Sequence, residues 1–333
     1  MFYAFATQMR NLVIITIFGS VALNCSKKPP ETQSSQISPQ RHQQEIVQQS
    51  VPTFDSQRAF EYLKAQTNFG PRDPGSAGHQ KCVLYLQTEL QQYADALNLQ
   101  PFTEQGYDGE TLKLTNVIAS FNLQATTRIF LMAHWDTRPR AEQDSDPKKH
   151  KQPILGANDG ASGVAVLLEL ARNLKAHPPA VGIDILLDDG EDYGKEGDNK
   201  HYLLGAKYFV QHLPQGFSPA FGILLDMVGD KELEIRKEQY SLKYAPEIVN
   251  LVWSTATELG IEQFSNLTQN WVTDDHLPLN EAGIKTIDLI DFDYPDESNR
   301  FWHTTQDTPD KCSPESLGAV GSVLLHVIYN YSS

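Results

Sequence analysis

The sequence predicts an α/β fold: a single domain whose central mixed, largely parallel β-sheet is flanked by helices. Three observations carry that expectation. Short apolar, β-branched runs alternate with longer stretches of helical periodicity from Phe54 onward. Strand and helix in alternation describe strands joined by crossover helices, which cover both faces of a sheet. The chain has 333 residues and 40% hydrophobic content, enough to bury one large core.

Residues 1–25 read as a signal segment: Met9-Arg10-Asn11 is a short basic region, followed by an apolar run from Leu12 to Leu23 that ends near Cys25. That run suits the apolar part of an export signal and is short for a membrane span. The lone cysteine, followed by Ser26-Lys27-Lys28-Pro29-Pro30, resembles a bacterial lipoprotein signal. The resemblance implies cleavage before Cys25, acylation of that residue and anchorage in the bacterial cell envelope, at the periplasm or outer membrane. Residues 26–52 are rich in Gln, Ser and Pro and cannot bury enough surface to offset chain entropy, so they are expected to be a disordered tether. Residues 53–333 form the expected catalytic domain.

That domain begins with two helical patterns, FDSQRAFEYLKAQTNFG and AGHQKCVLYLQTELQQYADAL, separated by a Gly- and Pro-rich turn. Strands are expected at LTNVIASF, TRIFLMAHWD, GIDILLDD, GILLDMVG and TIDLIDF. Helices are expected from Ala161 to Leu174, near Leu203 to Leu213, from Pro246 to Leu259 and from Pro314 to Tyr329. In such sheets the ligand crevice lies beyond the carboxyl ends of the strands. The polar residues that carry chemistry fall there.

His134 and Asp136 stand two apart at a strand end, which puts both side chains on one face. Asp136 is placed to take the second ring nitrogen of His134, as carboxylates do for metal-binding histidines. Asp159 precedes an apolar helix, where it could equally be a helix cap. Asp188, Asp189, Glu191 and Asp192 crowd one strand end, an arrangement of like charges that a divalent cation relieves. Adjacent carboxylates also suit a division of labour in which one binds metal and one acts as general base. Asp226 is a lone acid ending an apolar strand, and a buried charge of that kind needs a partner. Asp274-Asp275-His276 and Trp302-His303-Thr304 complete the set. Nitrogen and oxygen donors without cysteine are the chemistry of a catalytic zinc site. No Gly-rich phosphate loop and no nucleophile elbow is present.

Read in order, HWD, NDGASG, GED, LLD, TDDH and WHT resemble the zinc-dependent aminopeptidases of the M28-like clan, which also contains the glutaminyl cyclases. The resemblance runs from about residue 54 to the end and implies a zinc exopeptidase-like fold. Under the dizinc peptidase pattern, His134, Asp159, Asp192, Asp226 and His303 are ligands, Asp159 bridges, and Glu191 is the general base. Two details resemble the animal-type glutaminyl-peptide cyclotransferases and their bacterial members instead: an acid at Asp274 where the aminopeptidases usually carry Ser, and Trp302 directly before His303. The cyclase resemblance implies one zinc held by Asp159, Asp192 and His303. It makes Glu191, Asp226 and Asp274 catalytic, Trp302 a flat wall for substrate, and His134 and Asp136 supporting groups. The substrate would be a peptide or protein with a free N-terminal Gln, converted to pyroglutamate with release of ammonia. The alternative is an aminopeptidase with two zinc ions. Three positions depart from the animal cyclases: Asp192 stands where Glu is usual, Asp288 where a histidine lines the pocket, and Gly197 near a tryptophan position.

A net charge of −15 opposes binding to nucleic acid. No association motif is evident, so a monomer is expected. Besides Cys25 the chain holds Cys82 and Cys312, and nothing in their wide separation calls for a disulfide.

Overall fold

A computed structural model describes residues 50–195 and 197–331. The signal, Cys25 and nearly all of the expected tether lie outside the described residues, which fall within one compact unit. Among the described residues no helix is long and apolar enough to cross a membrane.

Helix α1 (Ser56–Thr67) starts where Asp55 accepts a hydrogen bond from the Arg58 N–H, and α2 (Ala77–Tyr93) starts where Ser76 accepts one from His79. Each such cap contributes about 1 kcal/mol. The chain then runs through β1 (Ala96–Gln105), β2 (Thr111–Phe121), β3 (Arg128–His134), α3 (Ala161–Ala176), β4 (Gly182–Asp188), α4 (Leu204–Gln211) and β5 (Phe221–Asp226). It continues through β6 (Ile235–Glu238), α5 (Gln239–Tyr244), α6 (Pro246–Leu259), β7 (Phe264–Gln269), α7 (His276–Glu281), β8 (Thr286–Ile290) and α8 (Pro314–Asn330).

Six strands form the main sheet in the order β1-β2-β4-β3-β5-β8. Strands β4, β3, β5 and β8 run parallel, whereas β1 and β2 form an antiparallel hairpin on one edge. The sheet is thus mixed and largely parallel, as expected. Alternation along β3 shows how the layers are built: Ile129, Leu131 and Ala133 pack towards a core shared with α1, α3 and α8, while Phe130 and Met132 pack towards one with Phe209 of α4 and Leu279 of α7. All five are buried, and each of the four larger side chains contributes roughly 1.5–3 kcal/mol. Helix α3 lies close against β5 because Gly163 has no side chain; a Cβ there would stand 2.2 Å from the Leu225 carbonyl oxygen.

Several elements differ from the sequence reading. Strand β1 carries no signal in the sequence: it is an exposed edge strand containing Pro101, with no apolar alternation to betray it. The pair β6 and β7 and the six-residue helices α5 and α7 also escape sequence reading, being too short to establish a period. Strand β3 ends at His134, so Asp136 stands beyond the strand rather than on it. Cys82 and Cys312 are both buried and free.

Candidate metal centre and active site

The parallel strands end together at one edge of the sheet. His134 closes β3 opposite Asp188, which closes β4, and Asp226 closes β5 opposite Ile290. Four loops bring in the rest: Asp159 just before α3, Glu191 and Asp192 between β4 and α4, Asp274 between β7 and α7, and Trp302-His303 between β8 and α8. Strands β3 and β5 deliver His134 and Asp226 directly, and loops supply the other donors.

Asp159 does not cap α3. The cap position belongs to Gly160, which makes no side-chain cap bond, and its φ of 101° is one that favours glycine. A Cβ there would also stand 2.4 Å from the Asp136 carbonyl oxygen. The Asp159 carboxylate is therefore free to face the histidines, one oxygen to each. Its Oδ1 lies 3.3 Å from His134 Nε2, and its Oδ2 lies 3.6 Å from His303 Nε2. His134 Nε2 also stands 3.2 Å from Asp226 Oδ1, and His303 Nε2 stands 3.3 Å from Asp192 Oδ1. Two buried triads result, His134–Asp159–Asp226 and Asp159–Asp192–His303, each with donor atoms close enough to hold one metal ion.

Surrounding groups fix this geometry. Asp136 Oδ1 is 3.4 Å from His134 Nδ1, and the same carboxylate accepts the backbone N–H groups of Glu191 and Asp192 at 3.1 and 3.3 Å. It thus orients a histidine and pins the acidic loop together. Asp307 does the same for the next segment, accepting the N–H groups of Asn158 and Asp159 at 2.8 and 3.1 Å and the Tyr294 hydroxyl at 2.8 Å. Arg138 donates to Asp192 Oδ1 at 2.7 Å. His303 holds a φ of 52°, a costly conformation for a non-glycine residue, and its ring stacks on Trp302 with centroids 3.7 Å apart.

Burial pushes the Glu191 carboxyl well above the usual carboxylate range, and the charge of Asp192 adds to it. Burial likewise raises Asp274, helped by the charge of Asp226. For Asp192 burial pulls upward too, but the charges of His303 and Arg138 outweigh it and bring the group well below its ordinary value. Behind the site Asp288 and Asp275 are fully buried, and burial, with the charges of Asp274 and Asp188 respectively, pushes their carboxyls well above the usual range. Asp288, where the resemblance would put a pocket histidine, is fully buried and lies behind Asp274.

A cavity of about 610 Å³ opens onto this edge, and Asp159, Glu191, Asp192, Asp226, Asp274, Trp302 and His303 all line it. His134 and Asp136 lie buried beneath. Every expected site residue therefore falls in one place. The donors present fit zinc: imidazole and carboxylate without thiolate, with Asp192 Oδ2 buried and lacking a hydrogen-bond partner. Sequence reasoning misses the roles of Arg138 and Asp307. Arg138 is the third member of the series His134, Asp136, Arg138 at alternate positions, the one available signal.

Residues 116–328 match the model of peptidase family M28. A glutaminyl cyclase from Bacteroides thetaiotaomicron, whose crystal structure was solved with N-acetylhistamine bound, is 43% identical over 85% of this chain and 100% of its own, with a TM-score of 0.82. The glutaminyl-peptide cyclotransferase-like protein of Mus musculus is 26% identical over 78% of this chain and 72% of its own length. Aminopeptidase YwaD of Bacillus subtilis is 29% identical over 72% of this chain, which spans about half (48%) of that relative's length.

Proposed function

This chain belongs to peptidase family M28, and from that premise we propose that it is a zinc-dependent glutaminyl-peptide cyclotransferase, converting the N-terminal glutamine of peptides to pyroglutamate. The observation that carries this reading is the acid trio Glu191, Asp226 and Asp274, the last of them buried and the other two partly so, which lines the cavity beside the triads. An aminopeptidase needs one general base; cyclisation needs groups that orient an amide as well as move a proton.

Asp159, Asp192 and His303 would hold the metal. Zinc in that position supplies Lewis acidity to the γ-carbonyl of the glutamine side chain. The substrate's own α-nitrogen forms the new bond to the γ-carbon as the bond from that carbon to the amide nitrogen breaks. Glu191 takes a proton from the α-amine and returns it to the departing nitrogen, which leaves as ammonia. Its raised affinity for protons suits both halves of that transfer. Asp274, whose carboxyl burial holds well above the usual range, donates towards the amide, and Asp226 accepts from its nitrogen. Trp302, stacked on His303 and packed near Phe292, closes one side of the space for the glutamine side chain. Because attack is intramolecular, holding the ring-closing conformer supplies much of the rate.

One observation favours a second reading. Asp159 faces both histidines, so the full donor set for two metal ions of an aminopeptidase is present. The test is to incubate the protein with a Gln-initiated peptide and a Leu-initiated one and weigh the products. Loss of ammonia from the first alone establishes the cyclase, and release of free N-terminal residues establishes the peptidase.

We also propose that the protein is exported and held in the envelope by acylation of Cys25. Support for this comes from the sequence of the first 30 residues.

A further inference from the structure

The described residues carry five large exposed hydrophobic side chains, Leu84, Leu99, Leu123, Leu267 and Trp271. Only Trp271 among them lines the cavity of the active site, and it is 55% exposed. An indole open at the rim of a functional cavity offers a flat face on which a ligand's side chain can stack.

The indole is held in place rather than free to wave. Its neighbour Val272 is buried and donates its N–H to Glu238 Oε1 at 3.1 Å, and the same oxygen accepts the Tyr240 N–H at 2.8 Å. One buried carboxylate therefore ties the start of α5 to the segment that carries Trp271. The Tyr240 ring then meets Trp271 edge-on, with centroids 4.6 Å apart at 69°. Preorganisation of this kind lowers the entropy cost of binding.

Trp271 precedes Asp274 by three residues through a segment without helix or strand. At roughly 3.3–3.6 Å per extended residue the rim stands up to about 10 Å along the chain from the acid. That is the reach from an N-terminal glutamine to the one or two residues after it.

We propose that Trp271 is a specificity-determining residue of this enzyme, forming a flat platform for the side chain of the substrate's second or third residue and favouring peptides with a large aromatic group there. This rests on the cyclase reading. Aromatic packing on an indole face gives a preference of about five- to twentyfold over glycine.

The experiment compares kcat/KM for glutamine amide, Gln-Gly and Gln-Phe in the wild type, Trp271→Ala and Trp271→Phe. The expected result is a wild-type preference for Gln-Phe over Gln-Gly, expressed in KM. It should be abolished in Trp271→Ala and partly kept in Trp271→Phe, with glutamine amide unaffected throughout. A wild type that treats both dipeptides alike, or an alanine variant that keeps the preference, overturns the proposal, as does an equal loss on glutamine amide. If no Gln substrate is cyclised, the cyclase reading fails instead. Calorimetric titration with the same unreacted dipeptides then decides the platform, which requires tighter binding of Gln-Phe that Trp271→Ala removes.

Discussion

Arg138 grips Asp192 twice, donating from one nitrogen to its Oδ1 at 2.7 Å and to its backbone carbonyl at 3.2 Å. The guanidinium is fully buried and also binds Glu142 and the Tyr202 hydroxyl. Asp192 is the residue where a longer glutamate is usual in the animal cyclases. A shorter arm reaches a shared ion only if its backbone is brought forward and held, and Arg138 together with Asp136 does the holding.

Replacing Arg138 by Ala is therefore expected to weaken zinc binding about 10- to 100-fold, the usual cost of losing a group that orients a ligand. Lysine should restore little, because it cannot present the planar fork. Chelator competition measures this, and unchanged affinity in a folded Arg138→Ala protein would show that Asp192 needs no clamp.

Glu191→Gln should keep the fold and the metal while turnover falls by about 10²- to 10⁴-fold, the range that general acid–base help supplies. Single-turnover assays on a metal-loaded sample test it. Near-normal rates would remove Glu191 from the proton transfer.

His303→Ala should lose the zinc ion, whereas His134→Ala should keep one, since only the first takes a donor from the triad of Asp159 and Asp192. Elemental analysis across a zinc titration reads both. Should His134→Ala lose all bound metal, the functional centre is the other triad.

Much of the site is legible in the amino-acid sequence. His134, Asp159, Glu191, Asp192, Asp226, Asp274 and His303 each sit in a short motif, most of them at the end of an apolar run, where the sheet's geometry gathers them. What is not legible there is the set of contacts that holds them. Asp307 reaches Asn158 and Asp159 across about 150 positions of chain, and Glu238 anchors Val272 from a strand too short to carry a pattern. Periodicity reports burial along one element and says nothing about hydrogen bonds between loops. Nor does it reveal β1, whose exposure on the sheet edge leaves no alternation to read.

Asp230 yields a prediction about stability. It is buried, Oδ1 accepts the Glu232 N–H at 3.2 Å, and Oδ2 has no partner. Burial and the nearby charge of Glu232 raise its pKa from 3.8 to about 6. The folded protein thus holds a proton that the unfolded chain releases, so this group favours folding below pH 4 and loses that contribution as pH rises through 6. Asp230→Asn has nothing to lose. It should match the wild type near pH 4 and exceed it by about 1–3 kcal/mol at pH 8 in urea denaturation. A pH-independent difference would place the effect in packing instead.

Cys25→Ser should move the protein from the membrane fraction to the soluble fraction of the cell envelope. Fractionation with immunodetection reads the outcome, and unchanged membrane association would point to the apolar run from Leu12 to Leu23 as an uncleaved anchor.

Asp159 turns one oxygen to each histidine, so the two triads have a carboxylate in common. Two divalent ions joined through such a bridge stand about 3.5–4 Å apart and repel each other. Filling either triad would therefore weaken the other, and metal uptake is expected to be anticooperative: a tight first step and a looser second one. The number of ions found in the protein would then be not a constant of the chain but a reading of the free zinc around it.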